Sequence, residues 1–154
     1  MKGNLDVIAA LNDRLSEELT SISMYMVHSE MCANWGFEKL HEEIEKQAMD
    51  EMKHAELLIG RILFLEGSPT VSRLGQMKIG TTVEEMIATD ENAEVDAVKG
   101  YNDTIALAVK VGDNGTREML AKILIDEERH VDWGETQREL IKQMGLQNYL
   151  ANQA

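Results

Sequence analysis

Apolar residues recur every three or four positions along almost the whole 154-residue chain, without the alternation that is typical of a half-buried strand. The single proline, Pro69, follows Gly67 and Ser68 in one clear break of this pattern. An amphipathic helix is stable in a folded protein only when its apolar side packs against another element. The pattern therefore predicts an all-α chain of long helices that pack against one another.

Start and stop signals divide the chain into four long helices. Gly36, Gly67 and Gly145 are expected to end the first, second and fourth helices, since glycine favours the residue that follows a helix. Thr82 and Glu85 have the spacing of a capping box and should open the third helix. The predicted helices cover about residues 4–35, 37–66 and 82–111, then, after a turn at 112–115, a fourth to about 144 and a short fifth at 146–150.

The lengths of the connections predict how the helices are arranged. Two short links make hairpins of helices one and two and of helices three and four, while a link of about 16 residues crosses from one hairpin to the other. We therefore expect one domain, residues 1–154, folded as a four-helix bundle with a long crossover and a short C-terminal helix. An extended coiled coil and an up-down bundle with an ordinary core are the alternatives.

Charge and composition exclude several classes of partner. The chain has 28 acidic and 15 basic residues and a formal net charge of −13, which repels nucleic acid and attracts cations. No apolar run is long enough to span a membrane, and no secretory signal is visible at the start. With Cys32 as the only cysteine, no intrachain disulfide can form, so we expect a cytoplasmic protein.

Each predicted long helix directs one glutamate into its apolar stripe. On a helical wheel, Glu51 lies among core positions of the second helix, and His54, three residues on, lies on the same face. Glu127 and His130 repeat the motif on the fourth helix. The first and third helices each supply a single inward glutamate, Glu18 and Glu94.

A constant offset of 76 positions relates the two halves of this set. Glu18, Glu51 and His54 are followed at that offset by Glu94, Glu127 and His130, and Tyr25 and Asp50 by Tyr101 and Asp126. The repetition predicts two similar hairpins about a pseudo-twofold axis with the site on it. Glu38 and His41 share the Glu-x-x-His spacing but point away from the core and have no counterparts, so we expect them on a solvated face.

Four carboxylates in an apolar core require neutralisation, because burying an unpaired charge costs several kcal/mol. Two divalent metal ions would balance them, and this pattern of four glutamates and two histidines is that of dimetal sites in helical bundles. Oxygen-rich ligation with one imidazole per metal favours iron or manganese, and we expect iron. Tyr25, on the same face as Glu18, is a candidate to hydrogen-bond a ligand or to supply an electron, or else is an ordinary core tyrosine.

Sequence motifs along the whole chain resemble those of the bacterioferritins. The six inferred ligands coincide with the ferroxidase ligands of that family. The motifs that carry the resemblance are Met1-Lys2-Gly3, Asn34-Trp35-Gly36, Asp50 to Ala55, Arg61 to Gly67, Asp126-Glu127-Glu128, His130, Asp132-Trp133 and Met144 to Leu150.

The resemblance implies a ferritin-like fold and an iron store. The family oxidises Fe(II) with O2 or H2O2 at a di-iron centre and deposits ferric mineral inside a hollow shell of 24 identical subunits. It binds haem b between two subunits through a methionine from each, which Met52 matches, and a small iron-sulfur ferredoxin is the implied electron donor for iron release. Lys46 departs from the family pattern, where histidine often forms a further iron site near Asp50, so we expect iron to reach the cavity by another route.

Two other functions remain open from the sequence. A dimetal bundle of this kind can be a peroxide-consuming enzyme, or a non-catalytic helical scaffold that binds structural metal. The number of inward ligands favours chemistry over scaffolding.

Overall fold

Five helices and no strands make up the computed structural model, which describes all residues from 1 to 154. The predicted all-α fold is confirmed, and the helix ends lie within about two residues of the predicted ones. None of the helices combines the length and apolar character needed to cross a membrane. The helices are α1 (Leu5–Asn34), α2 (Glu38–Phe64), α3 (Val83–Lys110), α4 (Asn114–Met144) and α5 (Leu146–Ala151).

The bundle consists of two helical hairpins. Helix α1 packs against α2, and α3 against α4, while α1 also contacts α3 and α2 contacts α4. Residues 65–82 form the long crossover between the hairpins, as predicted, and the short α5 packs on α4. The structure is therefore a four-helix bundle with one crossover and not an extended coiled coil.

The core is divided into two apolar clusters, one at each end of the bundle, with the inward glutamates between them. In α1, for example, Leu15 belongs to the first cluster and Met24 to the second. The first cluster contains Val7, Leu11, Leu15, Ala55, Leu58, Ile62, Leu65, Tyr101, Leu120 and Ile123. The second contains Met24, Tyr25, Cys32, Leu40, Ile44, Ala48, Val83, Met86, Ile87 and Tyr149.

The end of α2 differs from the prediction that Gly67 is its left-handed stop. The left-handed residue is Glu66, with a φ of 61°, whereas Gly36 and Gly145 do adopt positive φ as expected. Gly67 serves a close approach instead, because a Cβ there would fall 2.7 Å from Cγ2 of Ile8. The prediction of Gly67 as stop residue was therefore wrong.

The start of α3 follows the predicted capping box in part. Thr82 caps the helix by accepting a hydrogen bond from the backbone N–H of Glu85. The Glu85 carboxylate reaches one residue further back than a capping box requires and accepts from the N–H and hydroxyl of Thr81. Both groups hold the end of the crossover against the first turn of α3.

A buried histidine ties the crossover to the bundle. The N–H of Gly80 donates to Nε2 of His28 in α1 at 3.0 Å, and Nδ1 of the same ring lies 2.8 Å from Oδ1 of Asp90 in α3. His28 is fully buried. This network joins α1, α3 and the crossover at one point.

Candidate metal centre

The bundle brings all six predicted ligands into one buried centre. Each of the four long helices contributes a glutamate, and α2 and α4 add the histidine one turn later, since residues three apart share a helix face. None of the six side chains is more than 4% exposed. They are Glu18, Glu51, His54, Glu94, Glu127 and His130.

The six residues form two overlapping groups of four that share Glu51 and Glu127. Within each group, ligand atoms of all four residues lie within 4.8 Å of one another. Glu18 and His54 complete one group, and Glu94 and His130 complete the other. This arrangement suits two metal ions with two carboxylates between them.

One nitrogen of each histidine faces the carboxylates. Nδ1 of His54 lies 3.0 Å from Glu127 Oε1 and 3.7 Å from Glu18 Oε1. Nδ1 of His130 lies 2.9 Å from Glu51 Oε1 and 3.5 Å from Glu94 Oε1. The two rings have centroids 6.5 Å apart. Both imidazoles thus direct the same nitrogen into the centre.

The outward nitrogens meet aspartates. Nε2 of His54 in α2 lies 3.0 Å from Oδ2 of Asp126 in α4, and Nε2 of His130 in α4 lies 3.4 Å from Oδ2 of Asp50 in α2. A carboxylate that accepts the Nε2–H proton leaves the Nδ1 lone pair free for a metal. Sequence reasoning found this aspartate pair at the 76-residue offset but did not assign it to the histidines.

Two tyrosines donate hydrogen bonds to the outer glutamates. The Tyr25 hydroxyl donates to Glu94 Oε1, and the Tyr101 hydroxyl donates to Glu18 Oε1. Burial, and to a smaller extent the negative charge of the facing glutamate, raises the pKa of both tyrosines well above 10.0. Both hydroxyls therefore stay protonated and act as donors near neutral pH. Sequence reasoning singled out Tyr25 but gave no role to Tyr101, although the same offset relates the two.

Seven polar atoms of the centre make no hydrogen bond of good geometry within the protein, although Nδ1 of His54 and Nδ1 of His130 each lie close to a carboxylate oxygen. Buried polar groups in folded proteins are nearly always paired, so a convergent group of exceptions indicates a ligand-binding site. The unpartnered atoms are Oε2 of Glu18, Oε1 of Glu51, Oε2 of Glu94, both carboxylate oxygens of Glu127 and Nδ1 of His54 and His130.

The carboxylates of the centre attract positive charge, either as protons or as metal ions. Burial raises the pKa of Glu94 to about 8 and raises that of Glu18. Burial alone would lower the pKa of His130, but the carboxylates of Glu127 and Glu51 outweigh it and raise the pKa to about 12, and His54 is raised in the same way. The metal-free centre therefore retains protons that a metal ion would displace.

A surface pocket lies beside one half of the centre. His130 lines it together with Asp50, and Lys46 and Arg129 bring positive charge to the same pocket. Arg129 also pairs with both aspartates, its Nη2 lying 2.9 Å from Asp126 and 3.5 Å from Asp50.

The other predicted site residues lie away from the centre. Met52 is 39% exposed on α2 and does not belong to the centre. Glu38 is exposed, but His41 is only 17% exposed and contacts the Ser29 hydroxyl through Nδ1 at 2.8 Å. The expectation of a fully solvated pair was therefore wrong for His41, which packs against α1, although neither residue belongs to the centre.

A four-helix bundle with one long crossover and a carboxylate-histidine centre is the architecture of ferritin-like proteins, and the family model "Ferritin-like domain" matches residues 8–144. The bacterial ferritin of Synechocystis is 42% identical over 154 residues, 99% of each chain. The bacterioferritin of Mycobacterium tuberculosis is 39% identical over 151 residues, 98% of this chain and 95% of that protein. The bacterioferritin of Brucella melitensis is 35% identical over 149 residues, 97% and 92% of the two chains. The chain therefore belongs to the ferritin family and, within it, to the bacterioferritins.

Proposed function

We propose that this protein stores iron and that its buried centre is a ferroxidase, which oxidises Fe(II) before the iron is stored. The observation that carries the proposal is the convergence of unpartnered carboxylate oxygens and imidazole nitrogens in the core. Four carboxylate charges match two divalent ions, and the donor set suits iron. Membership of the bacterioferritins supports iron as the substrate.

The two groups of ligand atoms suggest separate tasks for the glutamates. Glu51 and Glu127 belong to both groups, so we assign them to bridge two iron ions. Glu18 with His54 would bind one ion, and Glu94 with His130 the other. Carboxylates can shift between bridging and terminal binding, which lets one site accept both Fe(II) and the more highly charged Fe(III).

The proposed reaction is a two-electron oxidation. Each of two Fe(II) ions gives up one electron, and dioxygen takes up two electrons and two protons to form hydrogen peroxide. With hydrogen peroxide as the oxidant, the same two electrons and two protons give two molecules of water. Tyr25, which donates a hydrogen bond to Glu94, is a candidate to supply one of these two electrons when only one Fe(II) is bound, and a later Fe(II) would then reduce the oxidised tyrosine again.

Storage requires an enclosed space, which a single bundle does not offer. We propose that the whole chain, residues 1–154, is one subunit of a hollow shell of 24 copies that encloses the ferric mineral. Exposed apolar side chains on α1 and α2 support contacts between subunits. They include Met26, Val27, Met49, Met52 and Leu63.

We also propose that Met52 binds haem b between two subunits. The thioether is exposed on the outer face of α2, with Met49 and Leu63 exposed on the same helix, so the residue is placed to coordinate a group shared with a second copy. Haem would supply a one-electron carrier for the release of stored iron, with a small iron-sulfur ferredoxin as the electron donor.

Anaerobic addition of Fe(II) to metal-free protein, followed by exposure to air, tests the ferroxidase. Near-ultraviolet absorbance should rise in a fast phase that saturates at about two Fe(II) per chain, followed by slower mineral growth. Glu94→Gln should abolish the fast phase, while Glu38→Gln, which alters the Glu-x-x-His motif outside the centre, should leave it unchanged. No fast phase, together with retained manganese, would favour a peroxide-consuming enzyme; lost stability without lost oxidation in Glu94→Gln would favour a scaffold.

Haem binding has its own test. Reconstitution with haem b should give a visible spectrum of methionine ligation at about one haem per two chains. Met52→Leu should lose that spectrum, whereas Met49→Leu, a second exposed methionine of α2, should retain it. A spectrum that survives Met52→Leu would exclude this residue as the ligand.

Lys46 bears on the route of iron to the cavity. With Lys46 and Arg129 in the pocket that contains Asp50, we propose that iron passes inward from the centre itself and not through a separate site at Asp50. A crystal soaked with Fe(II) should show metal at the centre and none between Lys46 and Asp50. Metal between those two residues would contradict this route.

A further inference from the structure

The charged residues beside the two outer ligands differ between the halves of the centre. Ligands, tyrosines and aspartates all repeat at the 76-residue offset, but Arg14, one turn before Glu18, has Asp90 as its counterpart, one turn before Glu94. Residues four apart on a helix are neighbours on its surface. A cation thus stands beside one outer ligand and an anion beside the other.

Arg14 lies over the ring of the tyrosine that donates to Glu18. Its guanidinium carbon lies 6.0 Å from the ring centroid of Tyr101, which donates to Glu18. Gly100 leaves room for it, since a Cβ there would fall 1.1 Å from Arg14 Nη1. Nη2 pairs with Glu17 at 2.8 Å, but Nε and Nη1 are buried without hydrogen-bond partners.

Asp90 is held by a neutral partner. His28 Nε2 accepts the N–H of Gly80, so the ring proton resides on Nδ1, which donates to Asp90 at 2.8 Å. No lysine or arginine pairs with Asp90, which is 4% exposed. Glu17 is paired with Arg14, and the buried Glu91 of α3 is paired with Arg138 at 2.6 Å, so each of these pairs is neutral as a whole. The half that contains Glu94 therefore carries about one more negative charge, that of Asp90, than the half that contains Glu18.

We propose that the two metal positions are unequal, and that the position formed by Glu94 and His130 fills before the position formed by Glu18 and His54. The inference rests on the proposed iron site and concerns the order of filling. One extra charge within about 8 Å of a divalent ion changes its affinity by at least about tenfold, even at an effective dielectric constant of about 20. Under limiting iron the first ion waits at the Glu94 position, and oxidation begins when the second position fills.

Cobalt(II), which air oxidises far less readily than Fe(II) in a site rich in oxygen ligands, is the probe for the order of filling. A crystal of the full-length protein soaked with less than one Co(II) per chain should show anomalous density mainly at the Glu94 and His130 position. Calorimetric titration in solution should show two steps whose dissociation constants differ by about tenfold or more. Equal density at both positions, or filling of the Glu18 position first, would overturn the proposal.

Two charge variants and a matched control sharpen the test. Asp90→Asn keeps an oxygen acceptor for His28 and should weaken the first step about tenfold with little effect on the second. Arg14→Met keeps length without charge and should strengthen the second step. Asp103→Asn, an exposed aspartate of α3, should change neither. If Asp90→Asn weakened both steps equally, Asp90 would act on the fold alone and the proposal would fail.

The outcomes separate this proposal from the proposed function. A fast phase of about two Fe(II) per chain, with two equal binding steps, would overturn the order of filling and leave the ferroxidase intact. No binding of Co(II) or Fe(II) at either position would overturn both.

Discussion

Oδ2 of Asp126 lies 3.0 Å from Nε2 of His54, so α4 positions the histidine that α2 supplies. Asp50 in α2 is placed in the same way on His130 in α4, at 3.4 Å. The two hairpins thus position each other's imidazoles. The centre can be complete only when both hairpins are docked.

Removal of the Asp126 carboxylate should weaken metal binding. Asp126→Ala should lower the affinity for Co(II) by about 10- to 100-fold, because the His54 ring loses the group that fixes its tautomer and orientation. Competition with a chelator of known affinity measures the change. Glu128→Ala, an exposed neighbour on α4, is the control. Unchanged affinity in Asp126→Ala would mean that ring packing alone orients His54.

The two tyrosines should each stabilise one outer glutamate. Tyr25→Phe and Tyr101→Phe remove the donor to Glu94 and to Glu18, and each should destabilise the protein by about 1–3 kcal/mol, the usual cost of leaving a buried acceptor without its hydrogen bond. Urea unfolding measures this loss, and stopped-flow absorbance measures Fe(II) oxidation. We expect slower oxidation in both variants. A rate loss confined to Tyr25→Phe would assign Tyr25 a part in electron transfer that Tyr101 lacks.

The fold and most of the centre were predictable from the sequence because both depend on helical periodicity. A helical wheel shows which face a residue occupies, and that was sufficient to bring Glu18, Glu51, Glu94 and Glu127 together. It does not show which neighbouring helix a side chain meets. The contact of Tyr101 with Glu18 and the crossed contacts of Asp50 and Asp126 depend on how the hairpins pack, and so became visible only in the structure.

Backbone details were less predictable for a different reason. His28 gave no signal, since a lone histidine in a helix carries no pattern and its partners, Gly80 and Asp90, are distant in sequence. At the end of α2, the glycine at position 67 suggested the left-handed residue. That residue is Glu66, and Gly67 follows it because the chain packs closely against Ile8 there. Tertiary contacts decided these positions over local preference.

Metal-free protein should lose stability as the pH rises. Burial raises the pKa of Glu94 from 4.5 to about 8, so its ionisation costs the folded state more than the unfolded chain as the pH passes from about 5 to 8. Carboxylates raise the pKa of His130 from 6.5 to about 12 against the effect of burial, so its contribution also falls above about pH 6.5. Calorimetric melting temperatures of metal-free protein should therefore fall between about pH 5 and 8.

Bound metal should remove most of this pH dependence, since it replaces the protons. Addition of Co(II) in weak buffer near pH 7 should release protons, measurable with an indicator dye. Glu94→Gln should flatten the melting profile of the metal-free protein. A melting temperature that rises from pH 5 to 8 without metal would show that the centre is solvated in solution.

The end of α2 offers a matched pair of stability variants. Glu66 adopts a left-handed φ of 61°, which costs a residue with a side chain about 1 kcal/mol, so Glu66→Gly should stabilise the protein or leave it unchanged after loss of an exposed ion pair with the N-terminus. Gly67→Ala should destabilise it by about 1–3 kcal/mol, because the new Cβ would lie 2.7 Å from Cγ2 of Ile8 and 3.0 Å from Cγ2 of Ile62. Urea unfolding of both variants measures the two effects. If Gly67→Ala were neutral and Glu66→Gly destabilising, neither the left-handed backbone at Glu66 nor the close approach of Gly67 to Ile8 would be present in solution.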